Sequence, residues 1–207
     1  METVEFRGCK NLVYAEVMKD NNETGTGEGY VVGTVKTLAP VAEIAKTVET
    51  STAAHYYDNK AAIVINSEGA DTVTFTIAVP SDEVLAEITG RTYDSTKKMF
   101  IDSERTNKMF AVGYILGEEG TDEDERYVWR YKGSFNVPDE TSKTDDNSTD
   151  ANNMSLVFTG IYTDHIFTNG KGTGVAGVAK AAFIRKSSNV ATATEWFATV
   201  STPDTTF

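Results

Sequence analysis

The 207-residue chain is predicted to be mainly β: a two-sheet β-sandwich or barrel with one short flanking α-helix at about 81–89 and extended loops. Three observations carry this. In "ERYVWRYKGSFNV", residues 125–137, Tyr127, Trp129, Tyr131, Phe135 and Val137 fall at every second position, with Arg130, Lys132, Ser134 and Asn136 between them. Successive side chains of a strand point to opposite faces, so this pattern predicts an aromatic face in the core. Arg130 and Lys132 are then expected to meet water or the acids of a neighbouring copy. In "TVTFTIAV", Val73, Phe75, Ile77 and Val79 alternate with Thr72, Thr74 and Thr76, a second strand signature. Finally, Gly, Asn and Asp clusters separate further strand-like runs: "NLVYAEVM", "YVVGTVKTL", "AAIVIN", "KMFAVGYIL", "SLVFTGIYT" and "AKAAFIRK".

The helix is written in "PSDEVLAEITG". Ser81 is a capping residue, Asp82 and Glu83 suit the positive end of a helix, Leu85 and Ile88 share a face, and Gly90 supplies the stop. The segment "APVAEIAKTVETS" satisfies both periods. Val41, Ile44, Ala45 and Val48 have helical spacing behind Pro40, whereas with period two Ala42, Ile44 and Val48 share a face with Lys46 and Thr50. Two polar stretches, at 19–29 and 138–153, are expected to be mobile loops, the second being longer than ordinary connections. No repeat or linker divides the chain, so residues 1–207 are expected to form a single β domain.

Composition narrows the function. No apolar run approaches the roughly 20 residues that a membrane-spanning helix needs, which predicts a soluble chain with no membrane partner. The N-terminal stretch has no apolar core behind a basic start, predicting synthesis in the cytoplasm. Cys9 is the only cysteine, which excludes an internal disulfide and a cysteine-based zinc site within one chain. A net charge of -12 disfavours tight wrapping of nucleic acid, which rests on cationic contacts with phosphate. More than half of that charge lies in residues 118–150, where eleven carboxylates face four cations.

Four motifs suggest chemistry. Gly172, Gly174 and Gly177 have the G-x-G-x-x-G spacing, with Glu195 about where a ribose-binding acid would stand. That motif works only between a parallel strand and a helix, so here it predicts a flexible turn. Asp20, Asn22, Thr24 and Gly25 begin like a calcium loop, but its twelfth position is Val31 rather than a bidentate Glu, which leaves an acidic turn. The run Asp122–Glu125 reads as a solvated hairpin tip. Asp164 and His165 are adjacent, yet neighbours on a strand diverge, and no G-x-S-x-G elbow accompanies them or His55. The sequons at Asn22 and Asn147 carry little meaning without an export signal. The expectation is no catalytic residue, no cofactor and no metal.

The order of motifs is more specific than any of them alone. "GCKNLVYAEVMKDN", "VAEIAKTVETSTAAHYYDNKA", "TVTFTIAVPSDEVLAEITG", "MFAVGYIL" with "RYVWRYKGSFNVP", "SLVFTGIY" and the closing "ATEWFATV" resemble, in sequence and order, the major tail protein of long-tailed, non-contractile phages. The resemblance covers nearly the whole chain. It implies a β-sandwich with a flanking helix, strand rather than helix for "VAEIAKTVETS", and a structural virion protein rather than an enzyme. Six copies would form a ring, and rings would stack into the tail tube through which DNA leaves the capsid. The implied partners are other copies of the chain, the tape-measure, tail-terminator and distal tail proteins, and DNA only as transient cargo. The implied location is the virion tail, after synthesis in the host cytoplasm. An acidic lumen would repel phosphate rather than grip it. Two other readings stay open: a tube subunit of a contractile or bacteriocin-like particle, and a surface adhesion sandwich.

Overall fold

The computed structural model describes residues 8–22, 29–57, 60–117, 124–139 and 153–207. Of the two loops expected at 19–29 and 138–153, residues 23–28 and 140–152 lie outside these; Lys19 and Asp20 end a strand and Asn153 begins one.

The chain is mainly β, as the alternation predicts. In order it forms β1 (Cys9–Asp20), β2 (Tyr30–Val32), β3 (Lys36–Thr37), β4 (Val41–Tyr57), β5 (Lys60–Ala78), α1 (Asp82–Thr89), β6 (Thr92–Asp94), β7 (Met99–Ile101), β8 (Phe110–Leu116), β9 (Arg126–Phe135), β10 (Asn153–Gly160), β11 (Ala181–Arg185) and α2 (Ala193–Ala198). One antiparallel sheet runs β2-β1-β8-β9-β10-β5-β4, with β3 added to β1 and β11 to β9, and β6 and β7 make a small second sheet. The large sheet curls into a half-barrel, and within it β9 serves two neighbours on one edge: Arg126 to Arg130 pair with β11, and Gly133 to Phe135 with β10. The segment that takes up both helical and strand periods is strand β4, along its full length.

Inside the curl, Tyr14, Val73, Phe75, Ile77, Phe110, Val112, Tyr114, Leu156 and Phe158 form one core. Helix α1 closes it with Ile88, and Val84 and Leu85 pack against its rim. The predicted caps are present: the Ser81 side chain accepts from the N–H of Val84, and Gly90 takes a left-handed φ of 69° that a side chain would resist. On the opposite face of β1, β8 and β9 a second core gathers Tyr127, Trp129, Tyr131, Phe167, Trp196 and Phe197. The C-terminal segment and α2 cover it.

Two expectations are corrected. Only one face of β9 was expected to be buried, yet every residue from Tyr127 to Tyr131 is, because the sheet is covered on both sides. Likewise α2 accompanies the expected helix. Its residues "ATEWFA" are too few for periodicity to show, but Thr192 and Glu195 form a capping box that fixes its first turn. At their ends the two alternating runs overshoot: Val79 and Val137 lie beyond the strands and are exposed.

Trp129 is fully buried and its indole N–H donates to the carbonyl of Trp196 at 2.9 Å, tying the central strand to the C-terminal cover. Opposite it stands Gly113, where a Cβ would lie 2.9 Å from the Trp129 ring and 2.9 Å from that of Phe197, so the indole occupies the space a side chain would need. Trp129→Ala empties that space and leaves the Trp196 carbonyl with the Ser201 hydroxyl as its donor. Chemical unfolding is expected to show a loss of about 3–5 kcal/mol, the usual cost of truncating a buried aromatic; an unchanged midpoint would remove Trp129 from the core.

Candidate functional site

The most unusual element is the hairpin of β4 and β5. The two strands pair from Val41 with Ile77 to Tyr57 with Lys60, longer than any other pairing in the sheet. On its other edge β5 pairs with β10 only from Ala78 to Asp71, the last partner being Gly160. Beyond Asp71 the hairpin leaves the body as a two-stranded arm. Eight paired positions, from Thr50 with Glu68 outward, give it a length of about 27 Å at ~3.4 Å per residue.

Its sequence explains why it forms strands but not why it should be stable alone. Thr47, Val48, Thr50, Thr52, Ile63, Val64 and Ile65 favour the pleated conformation. Yet two strands without a third layer are marginal in water. Directly paired residues share a face, so Ala53, His55, Ile63 and Ile65 lie on one side, while Ala54 and Val64 lie on the other. Both sides are solvent-exposed: Val64 is 57% accessible on one and Ile65 52% on the other. From Thr50 to Gly69 the sequence supplies only Asp58, Lys60, Glu68 and His55 as charged or basic groups. Such a ribbon has the composition of a surface awaiting a cover rather than of a solvated loop.

At the root of the arm a charged group continues the inward face of β5, two residues before Val73. Asp71 is 2% exposed, and cations from three elements surround it. Arg130 of β9 donates to its Oδ2 at 2.7 Å, Lys46 of β4 lies 3.0 Å from the same oxygen, and Lys180, just before β11, is 3.2 Å from Oδ1. Lys180 also donates to Glu68 Oε1 at 2.7 Å and to the Gly69 carbonyl at 2.6 Å. Burial pushes the Asp71 carboxyl up, but the hydrogen bonds from Lys46, Lys180 and Arg130 outweigh it and hold the group below its ordinary range. Burial pulls Lys180 down, and its bonds to Glu68 and Asp71 carry it above the ordinary lysine value.

Several expectations change here. Arg130 meets neither water nor a neighbour: it is buried against Asp71, because the front face of β9 is also core. Lys132 pairs within the chain with Asp20 and Asp164, each at 2.6 Å. The acidic run is not simply a solvated tip either. Glu125 is 3% exposed and its carboxylate lies 2.6 Å from Lys10, while Asp124 accepts from the backbone N–H and hydroxyl of Ser187 at 2.9 and 2.7 Å. Asp122 and Glu123 lie outside the described residues.

The sequence motifs disperse. Asp20, the first would-be calcium ligand, accepts the backbone N–H groups of Asp164 and His165 at 2.9 and 2.8 Å. Asn22 is exposed, and Thr24 and Gly25 are not among the described residues. His165 is buried against Tyr30 and Phe167, Asp164 turns to Lys132, and His55 stands on the arm. Gly172 and Gly174 belong to an exposed turn, Gly177 is buried and bridged to Phe167, the segment leads into β11 rather than a helix, and the Glu195 carboxylate is bound to Thr192. Among the described residues no cluster of three or more His, Cys, Asp or Glu is placed to hold a metal. Among them, too, no helix is long and apolar enough to cross a membrane. A cavity of about 630 Å³ beside Glu125 is lined by Lys10, Tyr127, Lys186 and Thr192.

The arm itself escaped the sequence reading because "NSEGAD" between "AAIVIN" and "TVTFTIAV" has the composition of a turn. It is instead a bulge within one 19-residue strand. The signal that marks the arm is the near absence of charge across 50–69 in so acidic a chain. No family model matches the chain, and no curated protein matches it significantly.

Acid is expected to weaken the body through these carboxylates. Asp71 and Glu87 are both held below their ordinary range, Glu87 because bonds from Lys36 and Tyr14 outweigh the effect of its burial. A depressed carboxylate contributes stability in full above its unfolded pKa, near 4, and that contribution is lost as pH falls through the folded value. Urea midpoints should therefore drop from about pH 5 downward, and less steeply in Asp71→Asn. Equal acid slopes in the two proteins would show that Asp71 is not held ionised.

Proposed function

We propose that the chain is a self-assembling structural subunit of the phage tail-tube type, working as a building block rather than as an enzyme. Copies would associate into hexameric rings, and rings would stack into the conduit for DNA in the virion tail. Tape-measure, tail-terminator and distal tail proteins would be its further partners. Supporting this reading are the ordered sequence resemblance and the mainly β fold. The observation that carries it is the exposed, sparsely charged arm, whose outer half holds Tyr56, Tyr57, Ile63, Val64 and Ile65 in solvent with no cover from the body. A second copy meets the need, because a closed ring of identical subunits can satisfy every arm at once. The long outer edge of β4 is a further surface that pairing or packing with a neighbour would protect. The net charge of -12 suits a conduit that must release DNA.

Negative-stain microscopy of the concentrated protein tests this, with and without tail initiation components. Rings or tubes are expected for the parent. Ile63→Asp with Ile65→Asp is expected to remain monomeric with an unchanged unfolding midpoint, since both side chains lie outside the cores. A parent that stays strictly monomeric under all these conditions would end the tail-tube reading.

A further inference from the structure

The geometry points to the Asp71 cluster as a clamp that holds the arm to the body in one direction, with the bulge beside it as the hinge that opens if the clamp is lost. Three structural features coincide at this point. The pairing of β5 with β10 ends at Asp71, so outward of it the arm has lost its lateral support. One residue further, the register of β4 and β5 shifts: Val48 faces Asp71, but Thr50 faces Glu68, so that Glu49 stands opposite Gly69 and Ala70. Such a bulge bends a ribbon and weakens the ladder locally. At Gly69 a Cβ would stand 2.7 Å from Oε2 of the exposed Glu49 and 3.2 Å from its Cβ, so a side chain there would have to push Glu49 aside.

The clamp spans this weak point. Lys180 grips Glu68 and the Gly69 carbonyl on the arm side and Asp71 on the body side with one ammonium group. Arg130 fixes Asp71 from the central strand and is itself held by the hydroxyl of Tyr114 at 3.1 Å. Lys46 closes the cluster from β4. The Tyr162 ring lies 4.6 Å from the Lys180 ammonium and shields it from water. Charge-assisted bonds in so buried a setting are directional and stiff. An arm so anchored meets a partner already oriented, and less freedom is lost on contact than by a hinged one. The role in assembly rests on the tail-tube reading; the clamp itself does not.

Hydrogen exchange of the full chain, read by mass spectrometry, tests the clamp. Lys180→Met keeps the aliphatic stem and removes the ammonium; Lys180→Arg keeps a donor for Glu68 and Asp71; Glu68→Gln alters only a half-exposed partner. In Lys180→Met the amides of 46–50 and 66–72 are expected to exchange about tenfold faster, the signature of local opening, while those of β8 and β9 keep the parent rate. Lys180→Arg is expected to restore protection, and Glu68→Gln to show a smaller effect confined to the same amides. Unchanged exchange at the arm root in Lys180→Met overturns the clamp. So does acceleration spread evenly through β8 and β9, which would make the cluster a general stabiliser. If the root loosens but tubes still form, the clamp stands and the role given to the arm in assembly fails.

Discussion

From Tyr127 to Tyr131, five consecutive residues of β9 are buried, and the rest of the molecule is arranged around that constraint. A strand buried on both faces needs a layer on each side. The inner layer comes from β5, β10 and α1, whose apolar side chains fill the curl; the outer comes from the segment after β10, ending in Trp196 and Phe197. Alternation then forces an ionic problem. With Trp129 and Tyr131 directed to the outer core, Arg130 must enter the inner side, where an unpaired guanidinium is not tolerated. Asp71 supplies its counter-charge, and that requirement fixes where β5 passes over the sheet.

The arm follows from the same geometry. One end of β5 is a core strand, with Val73, Phe75 and Ile77 fully buried, while the other leaves the body with Ile63, Val64 and Ile65 in solvent. The two halves are one continuous strand with no loop to decouple them. Whatever holds Asp71 therefore also sets the course of the arm. A buried ion cluster is a poor way to gain stability compared with apolar packing of equal volume, because desolvation offsets most of its attraction. It is a good way to fix a direction, since each bond is satisfied by one geometry only.

Much of the fold was legible because period and caps are local. Val73, Phe75 and Ile77, the Ser81 and Gly90 caps, and Tyr127, Trp129 and Tyr131 on one face of β9 behave as their spacing predicts, whereas Phe135, expected on that same face, packs in the inner core against Phe110 and Phe158. What failed was non-local. Whether Arg130, Lys132 or Glu125 faces water depends on the second layer over β9, on Asp20 at the end of β1, and on Lys10 at its beginning, and none of these is a sequence neighbour. "NSEGAD" illustrates the other failure: Gly69 serves a bulge as readily as a turn, and only the pairing of β4 decides between them. The candidate chemistry at Gly172 and Asp20 dissolved for the same reason, since spacing cannot tell a ligand from a carboxylate already committed to a backbone.

The placement of charge matches the proposed assembly. Copies that each carry -12 repel one another, and the repulsion is felt over a Debye length of about 8 Å at physiological ionic strength. Direct contact is least costly where a surface brings little charge of its own. The arm is such a surface, whereas residues 118–150 alone hold eleven carboxylates. Two of these, Asp124 and Glu125, are already neutralised inside the chain by Arg185 and Lys10, so they add little to the outward field. In the proposed assembly, segregating charge away from 50–69 would let the bodies repel one another while leaving one surface on which apolar burial could offset that repulsion.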